Sequence, residues 1–386
     1  MTYKEKLARY RNQTATPQEI AEIENDLEKY QAITDYLLEE EDAMELPPLV
    51  EDKTEHKKII QAMRRRSRQT VLLAMVCACV VMIGLYVAMP TISRKIWYDP
   101  QTNTMSEFTS DLTCSIAVLA ELTMPNVRME SVQVTPLGLG RYNIQVEQTP
   151  RIDPFASDWV GGTITRGKIQ MLPDFWQYPA ANSFWRATTG FAEEAPGPDR
   201  LILDCDTAKE ILADLPEEYI LQAYVSLSED WSMEQLAQVK ETAMQDGTLG
   251  WVAVRCVEEE QQLFPLLGFQ ADSSGLILEG VDALYPYYEL SMHKDTPLAE
   301  SWSRHFQALL QYSIDHAEDY ARFIGDSTEQ LGTNTAPQAQ AYIAQNGIYT
   351  YGFVYQANPK AVSALLEQEG IAGVYFVDTK IRIVQY

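Results

Sequence analysis

The sequence lacks the residue patterns that most enzymes and metal sites require. It has four histidines and five cysteines among 386 residues, and none of them falls into the HExxH or CxxC spacing of zinc sites and redox thiols. A glycine-rich phosphate loop and a G-x-S-x-G nucleophile turn are also missing. We therefore expect a protein that is not an enzyme and has no catalytic residues.

Cysteine is too scarce for a disulfide framework. Two of the five lie inside a long apolar run, and Cys114, Cys205 and Cys256 lie after it. Three cysteines allow one bridge at most. The sequence leaves open whether Cys205 pairs with Cys256 or all three remain free thiols.

Two other groups of metal-binding residue types have simpler explanations. Asp204-Cys205-Asp206 has no histidine nearby, and we expect Asp206 to cap a helix over 207–212. The three histidines after residue 290 are far apart in the chain, which favours satisfied or exposed side chains. We predict no metal site and no cofactor.

Basic residues are outnumbered: the chain has 30 Lys and Arg against 55 Asp and Glu, a formal net charge of −25. Most of the excess lies in residues 90–386, which carry 40 acidic and 18 basic residues. An acidic surface of this kind repels phosphate groups. We expect no direct nucleic-acid partner.

The sequence does contain one long hydrophobic run, residues 70–89, TVLLAMVCACVVMIGLYVAM. Twenty uncharged residues are long enough to cross a bilayer as a helix, and Pro90 is expected to end it. A cleaved signal peptide is the first alternative, but the run starts late and lacks a small-x-small cleavage site. A buried core helix is the second. We predict a single transmembrane helix.

Positive charge before this run predicts its orientation. Arg64, Arg65, Arg66 and Arg68 precede it closely, and cytoplasmic flanks of membrane helices are enriched in such residues. These arginines are also suited to contact anionic lipid headgroups of the bilayer. We predict a single-pass cell-membrane protein with a cytoplasmic N-terminus and an extracytoplasmic region over 90–386.

The segment before the membrane is predicted to be helical. A short charged helix over 2–13 is followed by Thr16-Pro17-Gln18-Glu19, a capping-box sequence that starts a helix running to about Asp42. Pro47-Pro48 then opens a linker, and a basic helix over 52–69 leads into the membrane. The second helix carries an apolar row at steps of three and four residues. Its apolar members are Ile20, Ile23, Leu27, Tyr30 and Leu37, with Thr34 at the step between the last two.

This apolar row needs something to cover it, because 69 residues with so few large apolar side chains bury little on their own. The cover could be the segment's own short helices, a second copy of the chain, or another protein that receives the helix in a groove. The sequence favours another protein as the partner.

The region after the membrane reads as an α+β region. A helix over 106–122 precedes strands over 127–134, 140–147 and 162–170. Further on, strand-helix-strand units over 219–257 and 348–384 flank a long helix over 297–324. Two such βαβ units with added helices favour a ferredoxin-like domain. We divide the chain into 1–69, a cytoplasmic helical segment; 70–89, the membrane helix; 90–200, a helix plus small sheet; and 201–386, an α+β domain.

Several short pieces together resemble a known family. They are Leu27-Glu28-Lys29-Tyr30 in the first long helix, Glu121-Leu122, Tyr224-Val225-Ser226-Leu227, Trp251-Val252-Ala253-Val254, Gly268-Phe269, Asn346-Gly347-Ile348 and Tyr351-Gly352. In order and spacing they look like the sigma-factor-regulator family, the membrane-bound anti-sigma factors of Firmicutes, over nearly the whole chain.

The resemblance implies that the N-terminal segment captures an extracytoplasmic-function sigma factor and that the outer region relays an envelope signal. Residues 1–69 contain His56 but no cysteine, which departs from the zinc-containing anti-sigma type. A second membrane protein is left open as a further partner. The competing class is a membrane-anchored receptor or envelope protein that acts entirely outside.

Overall fold

The computed structural model divides the chain into two compact units, Met1–Ile83 and Gly84–Tyr386. It describes residues 3–12, 14–43, 53–105, 109–125, 127–153, 156–176, 183–186, 195–198, 200–258, 266–272, 276, 278, 280–323 and 335–381. For some of these, among them Leu37 and Arg64, only the backbone is described. The predicted Pro47-Pro48 linker lies outside the described residues.

The N-terminal unit begins with two helices, α1 (Tyr3–Arg11) and α2 (Pro17–Ala43). The predicted capping box at the start of α2 is confirmed: the Thr16 amide donates to the Glu19 carboxylate at 2.8 Å, and the Glu19 amide donates to the Thr16 hydroxyl at 3.4 Å. These two bonds satisfy amides that a helix N-terminus leaves free. They fix where α2 starts.

The third helix, α3 (Lys53–Ile96), contains both the basic and the apolar segment without a break. Its span Arg65–Ala88 contains an 18-residue window with a mean hydropathy of 2.7 and is long and apolar enough to cross a membrane. The expectation that Pro90 ends this helix is wrong, because α3 continues to Ile96. Proline removes one hydrogen bond from a helix but is tolerated inside some long apolar ones.

The C-terminal unit starts with α4 (Asp111–Thr123), which the Ser110 side chain caps by accepting from the Thr113 amide. A four-stranded antiparallel meander follows, in which each strand pairs with the next. Its strands are β1 (Val127–Gly138), β2 (Arg141–Pro150), β3 (Asp158–Thr165) and β4 (Lys168–Met171). One strand was expected over 162–170; the chain instead turns at Arg166 and Gly167, both at positive φ.

Six strands form the second sheet. They are β5 (Leu203–Asp204), β6 (Tyr219–Ser232), β7 (Gly247–Val254), β8 (Gly268–Gln270), β9 (Tyr349–Ala357) and β10 (Ile371–Ile381). Their spatial order is β5-β10-β6-β9-β7-β8, and all neighbours are antiparallel. The strands of each predicted strand-helix-strand unit therefore run in the same direction but are separated by a strand of the other unit.

Helices connect and cover this sheet. They are α5 (Cys205–Ala213), α6 (Met233–Ala243), α7 (Val281–Leu284), α8 (Leu298–Asp315), α9 (Ala317–Tyr320), α10 (Ala336–Asn346) and α11 (Pro359–Leu365). The long helix expected over 297–324 is shorter, since α8 ends at Asp315 and the short α9 follows.

One large apolar core joins the two sheets of the C-terminal unit. It includes α4, both sheets and the buried side of α8, with Trp302, Phe306 and Phe269 fully buried. A smaller cluster contains Tyr224 on β6, Trp251 on β7 and Phe184, which lies outside the strands. The predicted boundary at residue 200 remains a prediction, but core residues from both sides of it pack together.

The chain between α3 and the meander packs on two hairpin turns. Trp97 lies against Gly140 in the β1–β2 turn, where an added Cβ would come within 2.8 Å of the indole. Tyr98 lies against Gly167 in the β3–β4 turn, and the Arg322 guanidinium sits 4.5 Å above its ring. The residues directly after α3 are thus half-buried against the first sheet.

Candidate partner-binding surface

The first helix packs against one side of α2 through three polar contacts. The Tyr3 hydroxyl donates to Asp26 at 2.9 Å, Lys6 pairs with Glu22 at 2.7 Å, and Arg9 pairs with Glu19 at 3.2 Å. As the residue number rises along α1 it falls along α2, so the two helices are antiparallel. The hydrogen bond from Tyr3 also lowers the pKa of Asp26.

The structure divides the predicted apolar row into a covered and an open part. Ile23 is fully buried and Ile20 half-buried, in the half of α2 on which α1 packs. Leu27 remains 50% exposed and Tyr30 72% exposed. The side chain of Leu37 lies outside the described part of the chain. Partner binding by these residues stays a prediction.

One further exposed apolar residue extends the open part. Ile33 is 58% exposed and lies one helical turn after Tyr30. The sequence pattern omitted it because Thr34 fits the alternating step of three and four better. Leu27, Tyr30 and Ile33 are called the open row below.

The predicted membrane flank lies on α3. Arg65, Arg66 and Arg68 are exposed, and the side chain of Arg64 is not described. The candidate span Arg65–Ala88 begins with these arginines, and the apolar window inside it is 0% buried. The basic residues and the apolar window are therefore consecutive turns of one helix.

The C-terminal unit contains a buried polar pair that the sequence did not indicate. The His305 Nε2 atom lies 2.6 Å from a Glu121 carboxylate oxygen, and Nδ1 lies 2.8 Å from the carbonyl oxygen of Tyr287. The same carboxylate oxygen accepts from the Gln270 amide at 3.3 Å. Glu121 and His305 are 184 positions apart in the chain, so no local motif reveals them.

Burial by itself lowers the pKa of His305, but the nearby Glu121 charge and the hydrogen bonds to Glu121 and Tyr287 outweigh it, and the pKa is raised. An acid-base pair of this kind could serve in proton transfer. It is enclosed, however, and the cavities described in the structure are lined by other residues. The pair joins α4, β8 and α8.

A groove of about 770 Å³ lies between α8, α10 and the segment 284–287. Its polar groups bind one another: Gln340 donates to Gln311 at 2.9 Å, and Arg304 donates to the Tyr287 hydroxyl at 3.0 Å. Both faces of the Tyr287 ring are also occupied, by His293 at 4.0 Å and Arg304 at 4.8 Å. The groove offers a ligand few uncommitted polar atoms.

The other predicted features have definite places. Asp204, not Asp206, caps α5, because its side chain accepts from the Thr207 amide while Asp206 pairs with Lys209 on the surface. Cys205 and Cys256 are separate thiols. Among the described residues no group of histidine, cysteine and carboxylate side chains has the geometry of a metal site.

Comparison with known proteins adds no family assignment. No protein-family model matches the chain, and neither the curated proteins nor the solved structures contain a significant match.

Proposed function

We propose that this protein is a single-pass membrane anti-sigma factor. Its N-terminal unit would hold an extracytoplasmic-function sigma factor in the cytoplasm, away from RNA polymerase, and residues 90–386 would lie outside and respond to an envelope signal. The observation that carries the proposal is the open row of α2, which the helices of its own unit leave exposed. The resemblance of the sequence to sigma-factor regulators suggests the kind of partner.

The open row is suited to binding a protein. Leu27, Tyr30 and Ile33 are each at least half exposed in an otherwise charged helix, and full burial of such side chains stabilises a complex by about 1.5–3 kcal/mol each. A few apolar anchors of this kind usually dominate the affinity of a helix bound in a groove. The row is short, so we expect the sigma factor to bind it across about two helical turns.

The proposed membrane position rests on α3. Its candidate span Arg65–Ala88 begins with exposed arginines and contains an 18-residue window with a mean hydropathy of 2.7, and the positive-inside bias then favours a cytoplasmic N-terminus. Protease added to intact protoplasts should digest the C-terminal unit and leave an N-terminal tag whole. Cleavage of the tag alone would contradict the orientation.

The proposed outer region belongs to the ferredoxin-like kind. In support, four of its strands have the order β10-β6-β9-β7, and each helical crossover joins strands that share a direction across an intervening strand. That arrangement is the split βαβ pattern. The remaining strands β5 and β8 extend the two sides of the sheet.

Co-expression provides the test of function. Each extracytoplasmic-function sigma factor of the source organism is co-expressed with the full-length protein, and transcription from its promoter is measured. We expect one sigma factor to be inhibited and to co-purify with the membrane fraction. Deletion of residues 1–45 should abolish both effects.

Point variants sharpen the test. Leu27→Asp should abolish inhibition, because it places a charge in the binding row while leaving the α1–α2 contacts intact. Asn25→Asp adds the same charge on the exposed opposite side of α2 and should have no effect. Ile23→Asp is less informative, since Ile23 is buried and its loss would disturb the fold of the unit itself.

A membrane-anchored protein that binds a ligand outside is the second candidate. The 770 Å³ groove beside α8 and α10 favours it through apolar lining residues such as Leu284, Ala341 and Ile343, since its polar groups already bind one another. Such a protein would keep its activity after deletion of residues 1–45, whereas an anti-sigma factor would lose it.

A further inference from the structure

The charges of α2 lie along two edges that flank its apolar row. Glu19, Glu22 and Asp26 form one edge, at steps of three and four residues. Glu24, Glu28 and Asp35 form the other, at steps of four and seven, which return to the same side of a helix with 3.6 residues per turn. Leu27 and Tyr30 project between them. We call these the paired edge and the open edge.

The paired edge shows what α2 binds. Each of its three carboxylates is matched by a side chain of α1, as described above, and α1 itself carries four basic residues and one acidic residue. Ile23 is buried at the same contact. A basic helix with a thin apolar side thus lies antiparallel on α2.

Among the described residues, none lies on the open edge in this way. Glu24, Glu28 and Asp35 are exposed, and within the described part of the chain they make no side-chain hydrogen bond or ion pair. The edge extends over about 16 Å, at 1.5 Å per residue. Leu27 lies next to this edge and is also exposed, whereas Ile33 lies on the side of the paired edge, because each residue advances about 100° around a helix.

From this geometry we infer that the element of the sigma factor that binds α2 is a basic amphipathic helix of about three turns. It lies along the open edge with its apolar side on Leu27 and Tyr30, so that α2 is held between α1 and the partner helix. This inference rests on the proposed function and adds the charge and shape of the partner's contact surface.

Charge argues against two other occupants. A second copy of α2 would bring its own carboxylates to the open edge, and like charges placed against each other are destabilising. An anionic bilayer surface would repel the same edge. A basic helix is attracted by it, and rim charges of this kind mainly accelerate association.

The experiment measures association of the sigma factor identified by co-expression with full-length protein in nanodiscs of zwitterionic lipid. The variant is Glu24→Lys/Glu28→Lys/Asp35→Lys. Its control, Glu217→Lys/Glu218→Lys/Glu229→Lys, changes the net charge equally at exposed sites of the C-terminal unit. The α1 contacts are untouched in both, and circular dichroism checks their helix content.

We expect the α2 variant to associate at least ~10-fold more slowly at about 20 mM ionic strength, and less than ~3-fold more slowly at 0.5 M, where salt screens the charges. The control should match the wild type. If the α2 variant associates at the wild-type rate at low salt, or if the control variant is slowed equally, the inference is overturned and the anti-sigma proposal stands. If no sigma factor binds the wild type, both fall.

Discussion

Replacing Glu121 should destabilise the C-terminal unit severely, because this one carboxylate holds three elements together. Its side chain and His305 are at most 3% exposed. Glu121→Ala leaves the buried His305 without its hydrogen-bonded carboxylate and the Gln270 amide without its acceptor. Removing one partner of a buried pair typically costs about 3–5 kcal/mol, and an unmade buried hydrogen bond about 1–3 kcal/mol.

The two losses overlap, since both concern the same carboxylate oxygen, and we expect about 4 kcal/mol in total. For a unit of this size that corresponds to a decrease in Tm on the order of 10 °C. The assay is urea and thermal unfolding of a fragment that begins at Lys95. Glu300→Ala, which removes an exposed carboxylate paired with Arg304 on the surface of α8, should cost less than about 1 kcal/mol.

A double-mutant cycle measures the interaction free energy between Glu121 and His305 separately from their contacts with other residues. The cost of Glu121→Ala/His305→Ala should be less than the sum of the two single costs by about 2 kcal/mol, because the second substitution removes the imidazole that the first leaves without its carboxylate. If Glu121→Ala unfolds within about 1 kcal/mol of the wild type, or if the two substitutions add, the pair does not join the elements and the reasoning is refuted.

Three further outcomes are expected of the same unit. Because the folded pKa of His305 is raised, its contribution to stability is complete below the unfolded pKa near 6.5 and is lost as the pH rises through the folded value. Urea midpoints measured up to pH 8.5 should therefore fall more in the wild type than in His305→Gln. Parallel pH profiles of the two proteins would contradict this. Gly140→Ala should cost at least about 2 kcal/mol more than Gly138→Ala, since both have positive φ but only Gly140 packs against an indole; equal unfolding midpoints would contradict it. The fragment 201–386 should unfold less cooperatively than one that keeps both sheets, because it lacks Glu121; equal thermal cooperativity would instead support the predicted boundary at residue 200.

Elements with local signals were predictable from the sequence. The capping box Thr16–Glu19 marks the start of α2, and α6 begins after Ser232 with a second capping box, in which Ser232 and Gln235 bond each other's backbone. Local signals also mislead where two candidates are adjacent. Asp204 and Asp206 both have side chains suited to capping a helix. In the structure the backbone of Asp204 is extended and its side chain accepts from the Thr207 amide, so Asp204 is the cap.

Features that depend on distant residues could not be read from the sequence. The bond between Glu121 and His305 joins elements far apart in the chain, and the order of strands in the second sheet depends on pairing between β6 and β9. The burial of Ile23 also depends on another part of the chain, because α1 packs on this half of α2. The pattern places Ile23 in one apolar row with Leu27, but it contains no information on how far α1 extends along that row.

The affinity of full-length protein for the captured sigma factor depends on whether Leu27 is buried in the complex. Leu27 is half exposed, so its burial in a complex contributes about 1 kcal/mol, and placing an aspartate in the same desolvated contact costs a further 1–3 kcal/mol or so. Leu27→Asp should therefore weaken binding at least ~30-fold, as measured by titration of the captured sigma factor, while Asn25→Asp binds as the wild type does. Unchanged affinity of Leu27→Asp, with α1 and α2 shown to be folded, would contradict the claim that the open row of α2 binds the sigma factor.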